Sequence, residues 1–134
     1  MAKAEARKEP VLVDTSVWIA FFRGTEPHAG TVAQILKDQR VVTTGIIKAE
    51  IIQGVKSDKE AQRVLEVLAA IESMEISDGL WVKSGWLVSK LRGKGSAVPL
   101  TDAAIGTLAL EYGLSVYTLD KHYDVMPGLK IYRW

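Results

Sequence analysis

Three consecutive apolar residues, Val11-Leu12-Val13, run without a spacer into Asp14-Thr15-Ser16 and then into Val17, Trp18 and Ile19. A short unbroken apolar run suits a strand buried on both faces, and the short polar residues after it are of the kind that open helices. The same switch recurs along the chain. Residues 31–40 carry Val32, Ile35 and Leu36 at helical spacing, and Val41-Val42-Thr43-Thr44 then reads as a second buried strand. A helix is expected over 45–54 and a longer one over 59–72, started by Ser57-Asp58 and striped by Val64, Leu65, Leu68 and Ile71. Residues 74–76 suit a short strand, and Asp78 suits the cap of a helix holding Leu80, Trp81, Leu87 and Leu91. The glycine- and lysine-rich stretch 92–99 is expected to be a loop. A helix opening at Thr101-Asp102 and stopping at Gly113, a strand over 115–119 and an edge strand over 130–132 complete the series. Strands separated by helices predict an α/β fold, a central mainly parallel sheet flanked by helices and joined by right-handed crossovers.

The chain has 134 residues, enough for one domain and short for two. The expected division is a flexible segment over 1–10 and a folded domain over 11–134. No apolar run is long enough to cross a bilayer, and MAKAEARKEP lacks the apolar centre of a secretion signal, so a cytoplasmic protein is expected. The absence of cysteine excludes disulfides, thiolate metal sites and cysteine nucleophiles. A net charge of +1 argues against binding nucleic acid by bulk polycation attraction. It leaves room for a local basic rim from Arg23, Lys48, Lys90, Arg92, Lys94 and Lys121.

Four acids stand where a fold of this kind gathers ligands. Asp14 and Asp120 each follow an apolar strand, at the carboxyl edge where open parallel sheets bind. Glu50 lies one helical turn from Ile46 and Ile47 and one before Gly54, on an inward-facing stripe. Asp102 precedes Ile105 by three residues, at the positively polarised start of its helix. Carboxylates brought together raise one another's pKa, so a fold that collects several usually supplies a divalent cation. Each acid also has a plainer reading. Asp14 and Asp102 could cap helices, Glu50 could pair with a Lys or Arg, and Asp120 could be an ordinary turn residue. Asp124 is either a fifth acid or a surface charge. His28 and His122 show no metal-ligand spacing and read as surface residues. The tryptophans Trp18, Trp81, Trp86 and Trp134 read as packing residues.

The segments VLVDTSVWIAFF, IIKAEIIQG and VPLTDAAIGTLALEYGLSVYTLDKHYDVMPGLKIY, in that order, resemble the PIN-domain family, in particular the VapC-type toxin ribonucleases of type II toxin–antitoxin systems. The resemblance spans nearly the whole chain from Val11 onward. It implies a Mg²⁺-dependent endoribonuclease, with Mn²⁺ as a substitute, whose catalytic acids are Asp14, Glu50, Asp102 and Asp120. Thr15 or Ser16 corresponds to the small hydroxyl residue after the first acid, and Thr118 to the threonine before the last. On this reading Asp14 and Asp102 hold the principal ion, and Glu50 and Asp120 complete the site directly or through water. The ion would acidify a water for in-line attack on an RNA phosphodiester. One ion and two are both compatible with four acids. Arg92 and Lys94 are the candidate contacts to the RNA backbone, with single-stranded or looped RNA as the target class.

Three other readings share part of this pattern. A haloacid-dehalogenase-like phosphatase needs a second Asp two positions after Asp14, where this chain has Ser16. A Mg²⁺-binding receiver-like module needs two adjacent acids after the first strand, with Lys121 as its lysine, and only Asp14 is present. A catalytically inactive PIN-like binding module is the third. The toxin resemblance implies a VapB-type antitoxin as partner, and Ile19, Phe21, Phe22, Trp81, Trp86 and Leu87 are candidates to line its groove or to complete the core. A homodimer is the symmetric default.

Overall fold

A computed structural model describes residues 9–134. The expected flexible segment therefore lies mostly outside the described residues; Glu9 and Pro10, its last two, are exposed. Five strands form one sheet: β1 (Val11–Val13), β2 (Val41–Thr44), β3 (Glu72–Met74), β4 (Ser115–Tyr117) and β5 (Lys130–Ile131). Six helices connect them: α1 (Thr15–Phe22), α2 (His28–Lys37), α3 (Gly45–Gln53), α4 (Asp58–Ala69), α5 (Asp78–Gly93) and α6 (Leu100–Tyr112). A 3-10 turn over Lys121–Val125 precedes β5.

The strand order is β3-β2-β1-β4-β5, and every pairing is parallel, as the buried apolar runs predict. β1 lies at the centre, with Leu12 beside Val42 on one flank and Val116 on the other. The chain builds outward from β1 through β2 to β3, then crosses back to lay β4 on the opposite flank of β1. That reversal opens a crevice between the carboxyl ends of β1 and β4, the position where parallel sheets bind their ligands. Val11, Leu12, Val13, Val116 and Tyr117 are fully buried, as are Val17, Trp18, Ile47, Ile105 and Leu108 from the covering helices.

Several boundaries differ from the sequence reading for local reasons. α2 starts earlier, after Pro27, whose missing N–H needs no partner at a helix start, and the chain leaves it through Gln39 at φ 58°. β3 occupies 72–74, where Glu72 and Ser73 are exposed; an edge strand pairs on one side only and tolerates polar residues that an apolar-run criterion passes over. Ser77, one residue before Asp78, caps α5 by accepting the Leu80 N–H at 3.2 Å. α5 continues through Arg92 and Gly93, so the glycine-rich loop is confined to 94–99. Ser57 caps α4 as expected, accepting from the Glu60 N–H at 3.1 Å, and Gly113 ends α6 at φ 66°.

The central strand makes a direct test of this core. Leu12→Ala is expected to lower the free energy of unfolding by about 2–5 kcal/mol. Leu65→Ala, at a side chain 50% exposed, should change it by less than about 0.5 kcal/mol. Chemical denaturation of the two variants reads this out, and equal losses would place β1 outside the core.

Candidate active site

Asp14 follows β1 and occupies the cap position of α1, but its side chain makes no capping bond. Its carboxylate is instead held by three hydroxyls, one local and two from distant segments. Thr118 and Ser16 donate to Oδ2 at 2.8 and 3.0 Å, and Tyr123 donates to Oδ1 at 3.3 Å. Only 5% of Asp14 is exposed, so these donors replace water that burial has removed.

Each donor is itself fixed. Ser16 Oγ accepts the Leu119 N–H at 3.1 Å, and Thr118 Oγ1 accepts the Asp120 N–H at 2.9 Å. Asp120 Oδ1 then accepts the backbone N–H of His122 at 2.9 Å, the local turn that short acidic side chains favour. His122 Nδ1 lies 2.8 Å from Asp102 Oδ2 and 2.9 Å from Asp120 Oδ1. A continuous chain of contacts therefore joins Asp14, Thr118, Asp120, His122 and Asp102. Glu50 enters from α3, where Thr15 donates to its Oε1 at 2.6 Å.

The electrostatics show the same convergence. Burial pushes the Asp102 carboxyl above its usual range, helped by the negative charges of Asp120 and Asp14 and opposed by the hydrogen bond from His122. Burial also drives the Tyr123 phenol far above its ordinary value, reinforced by Asp14, Asp102 and Glu50. Tyr123 is consequently a neutral donor throughout the physiological range. The hydrogen bond to Asp102 is the main cause raising the His122 imidazole, with the Asp120 charge adding to it.

One ligand atom each from Asp102, Asp120 and His122 lie within 4.8 Å of one another, a grouping able to hold a divalent cation. The carboxylate oxygens of Asp102 and Asp120 are hard donors that suit Mg²⁺ or Mn²⁺, so these acids fit such an ion. Two clefts flank the acids. One, of about 310 Å³, is lined by His122, Arg92, Val88 and residues 96–99. The other, of about 430 Å³, holds Glu50 with Ile19, Phe22, Arg23, Lys56 and Arg63 on its walls.

Contacts link Asp14, Asp102 and Asp120 through Thr118 and His122, with Ser16 a further donor to Asp14, while Glu50 is bonded to Thr15 and adds its charge to the field at Tyr123. Arg92 reaches the neighbouring cleft, whereas exposed Lys94 is not among its lining residues. Asp124 is exposed and stands outside the group. The surface reading of the histidines needs correction. His28 is half-buried, with Nδ1 2.7 Å from the Tyr117 hydroxyl and its ring against Trp134. His122 lies within the acidic cluster. Tyr123 passed unnoticed. The available signal was the spacing of Asp120 and His122, two residues apart just beyond a strand, which a tight turn can fold onto one point.

The family model of the PIN domain matches residues 11–129. The chain belongs to the PIN domain family. Among curated relatives of this PIN domain, ribonuclease VapC4 of Mycobacterium tuberculosis is 28% identical over 122 residues, covering 90% of this chain and 93% of its own. Ribonuclease VapC11 of the same species is 25% identical over 121 residues, covering 87% and 90%. Of solved structures, VapBC2 from Rickettsia felis bound to a promoter DNA fragment matches with a TM-score of 0.76 at 18% identity, over 92% of this chain and 98% of that one. DNA-bound VapBC from Salmonella typhimurium matches at 0.75 and 22% identity, over 93% and 98%. At those identities the structures speak to the fold. The family match sets aside the dehalogenase-like and receiver-like readings.

The imidazole offers a check on the cluster of this PIN domain. Because the folded pKa of His122 is raised above its ordinary 6.5, its contribution to stability is complete below the unfolded value and is lost as pH rises through the folded one. Replacing Asp102 with Asn removes the main cause, so the His122 pKa should fall toward 6.5. An NMR titration of the ring protons measures this; an unmoved pKa would separate His122 from Asp102.

Proposed function

We propose that this chain is a divalent-ion-dependent endoribonuclease, the toxin of a VapBC-type toxin–antitoxin pair, with Asp14, Glu50, Asp102 and Asp120 as its catalytic acids. The observation that carries this reading is the chain of contacts joining Asp14, Asp120 and Asp102 beyond the carboxyl ends of β1 and β4 in a PIN domain, with the Glu50 charge felt at the same Tyr123 that donates to Asp14. The names of its relatives support it, since ribonuclease VapC4 and ribonuclease VapC11 align along most of the chain.

Asp14, Asp102 and Asp120 would hold the ion, Mg²⁺ or Mn²⁺, with Glu50 joining directly or through water. When bound, such an ion supplies positive charge that acidifies water and offsets the charge gathering on a phosphodiester. Thr118, Ser16 and Tyr123 keep the Asp14 carboxylate in one orientation, so little freedom is lost when a ligand arrives. Thr15 donates to Glu50 and orients it, and Glu50 would be the carboxylate that takes a proton from the attacking water. The RNA backbone would run between the two clefts, past Arg92 on one side and Arg23, Lys56 and Arg63 on the other. A local basic rim of this kind would bind a backbone without a large net positive charge. Single-stranded or looped RNA is the target class, because unstacked bases can enter such clefts.

A VapB-type antitoxin is the proposed protein partner. Ile19 and Phe22 line the cleft beside Glu50, and Ile19 is 39% exposed, which leaves apolar surface next to the acids for an amphipathic segment. Trp81 and Trp86 are available to a second copy of the chain. No helix among the described residues is long and apolar enough to cross a membrane. The inactive-module reading is disfavoured by four intact acids, two of them held by their own hydroxyl donors.

Incubation of the purified chain with mixed structured RNAs, in Mg²⁺, in Mn²⁺ and in chelator, tests the proposal. Cleavage should require the ion and fall at least about a hundredfold in Asp14→Asn, which keeps shape and removes charge. Cutting that survives excess chelator, or equal cutting by the variant, would sink the mechanism.

A further inference from the structure

The chain contains two histidines. Packing accounts for His28, whose ring is hydrogen-bonded to Tyr117 and set against Trp134. Packing does not account for His122. Its side chain is 42% exposed, so no burial requirement turns the ring inward, yet Nδ1 sits 2.8 Å from Asp102 Oδ2 and 2.9 Å from Asp120 Oδ1.

The backbone holds it there. The His122 N–H is bonded to Asp120, and the next residue, Tyr123, is buried and bonded to Asp14, so the turn is anchored on both sides of the imidazole's base. Asp102 approaches from α6, a separate segment. Adjacent ligands of an octahedral ion at about 2.1 Å stand roughly 3 Å apart. The two nitrogen–oxygen separations, 2.8 and 2.9 Å, are of that size, and one ligand atom from each of the three residues falls within 4.8 Å of the others. Imidazole nitrogen is a donor that first-row transition ions accept readily, whereas Mg²⁺ keeps to oxygen.

We infer that His122 is a nitrogen ligand of the divalent-ion site, through Nδ1 and beside Asp102 and Asp120, and that it biases this chain toward Mn²⁺-type ions over Mg²⁺. The inference rests on the proposal that the acidic cluster holds an ion. It adds a residue to the ion-binding set and reverses the expected order in which Mn²⁺ is the substitute.

Pulsed EPR of Mn²⁺ added to the full chain, read for ¹⁴N coupling, tests it without any RNA. Wild type should show coupling from a directly bound nitrogen, His122→Phe should lose it, and His28→Phe should keep it. Mn²⁺ affinity should fall about tenfold or more in His122→Phe, with Mg²⁺ affinity, measured by competition, changing far less. Mn²⁺ bound to wild type without nitrogen coupling, or coupling that persists in His122→Phe, overturns the inference and leaves the carboxylate site standing. Failure of wild type to bind Mn²⁺ overturns both the inference and the ion reading beneath it.

Discussion

Taking a carboxylate out of water costs several kcal/mol unless hydrogen bonds replace the lost hydration. Asp14 is buried at the end of the central strand, and two of its three hydroxyl donors come from a segment more than a hundred residues away. Thr118 and Tyr123 can reach it only because β4 pairs directly with β1. The sheet register and the site are therefore one constraint. A slip of β4 by a single residue would turn Thr118 away and leave the Asp14 carboxylate without its closest donor.

The segment after β4 carries much of this burden within six residues. Thr118 both donates to Asp14 and accepts from the Asp120 backbone, which ends the strand after Tyr117 and turns the chain back over the acids. Asp120 then captures the His122 N–H, and His122 and Tyr123 address Asp102 and Asp14. Alternating small acceptors and larger donors in this way needs no regular secondary structure beyond one 3-10 turn. The strand's far side is equally fixed. Tyr117 is buried against His28, Trp134 and Tyr132, and the Tyr132 N–H reaches the Val116 carbonyl at 2.8 Å beyond the two-residue β5.

Like charges at close range are the cost of the arrangement. Burial is the main reason the Asp102 carboxyl is pushed up despite the hydrogen bond it receives, and the charges of Asp120 and Asp14 add to it. Without an ion, a protonated Nδ1 of His122 answers part of this by standing between two carboxylates. Tyr123 answers another part differently, since a phenol surrounded by acids resists ionising and remains a donor. Sites that combine a raised carboxyl, a raised imidazole and a buried phenol are those where a cation or a proton has work to do.

Local chemistry was legible in the residues themselves. Val11-Leu12-Val13 and Val41-Val42 announced buried strands, Ser57 and Gly113 marked helix ends, and the four acids stood out by their positions after strands or on inner helical faces. These follow from nearest-neighbour physics, which a sequence carries directly. Strand order does not. Only the tertiary structure decided that β4 returns to lie beside β1, so that the reversal falls between Asp14 and Thr118. Nor could spacing alone turn His122 from a surface residue into a neighbour of Asp102, or exclude Asp124 two residues later, because which side each residue of a 3-10 turn faces depends on how the turn is docked against the acids. The edge strand β3 was misplaced for a related reason: its stability comes from pairing with β2 and not from its own apolar content. The sequence determined which elements form and which side chains can do chemistry; long-range pairing decided which of them meet.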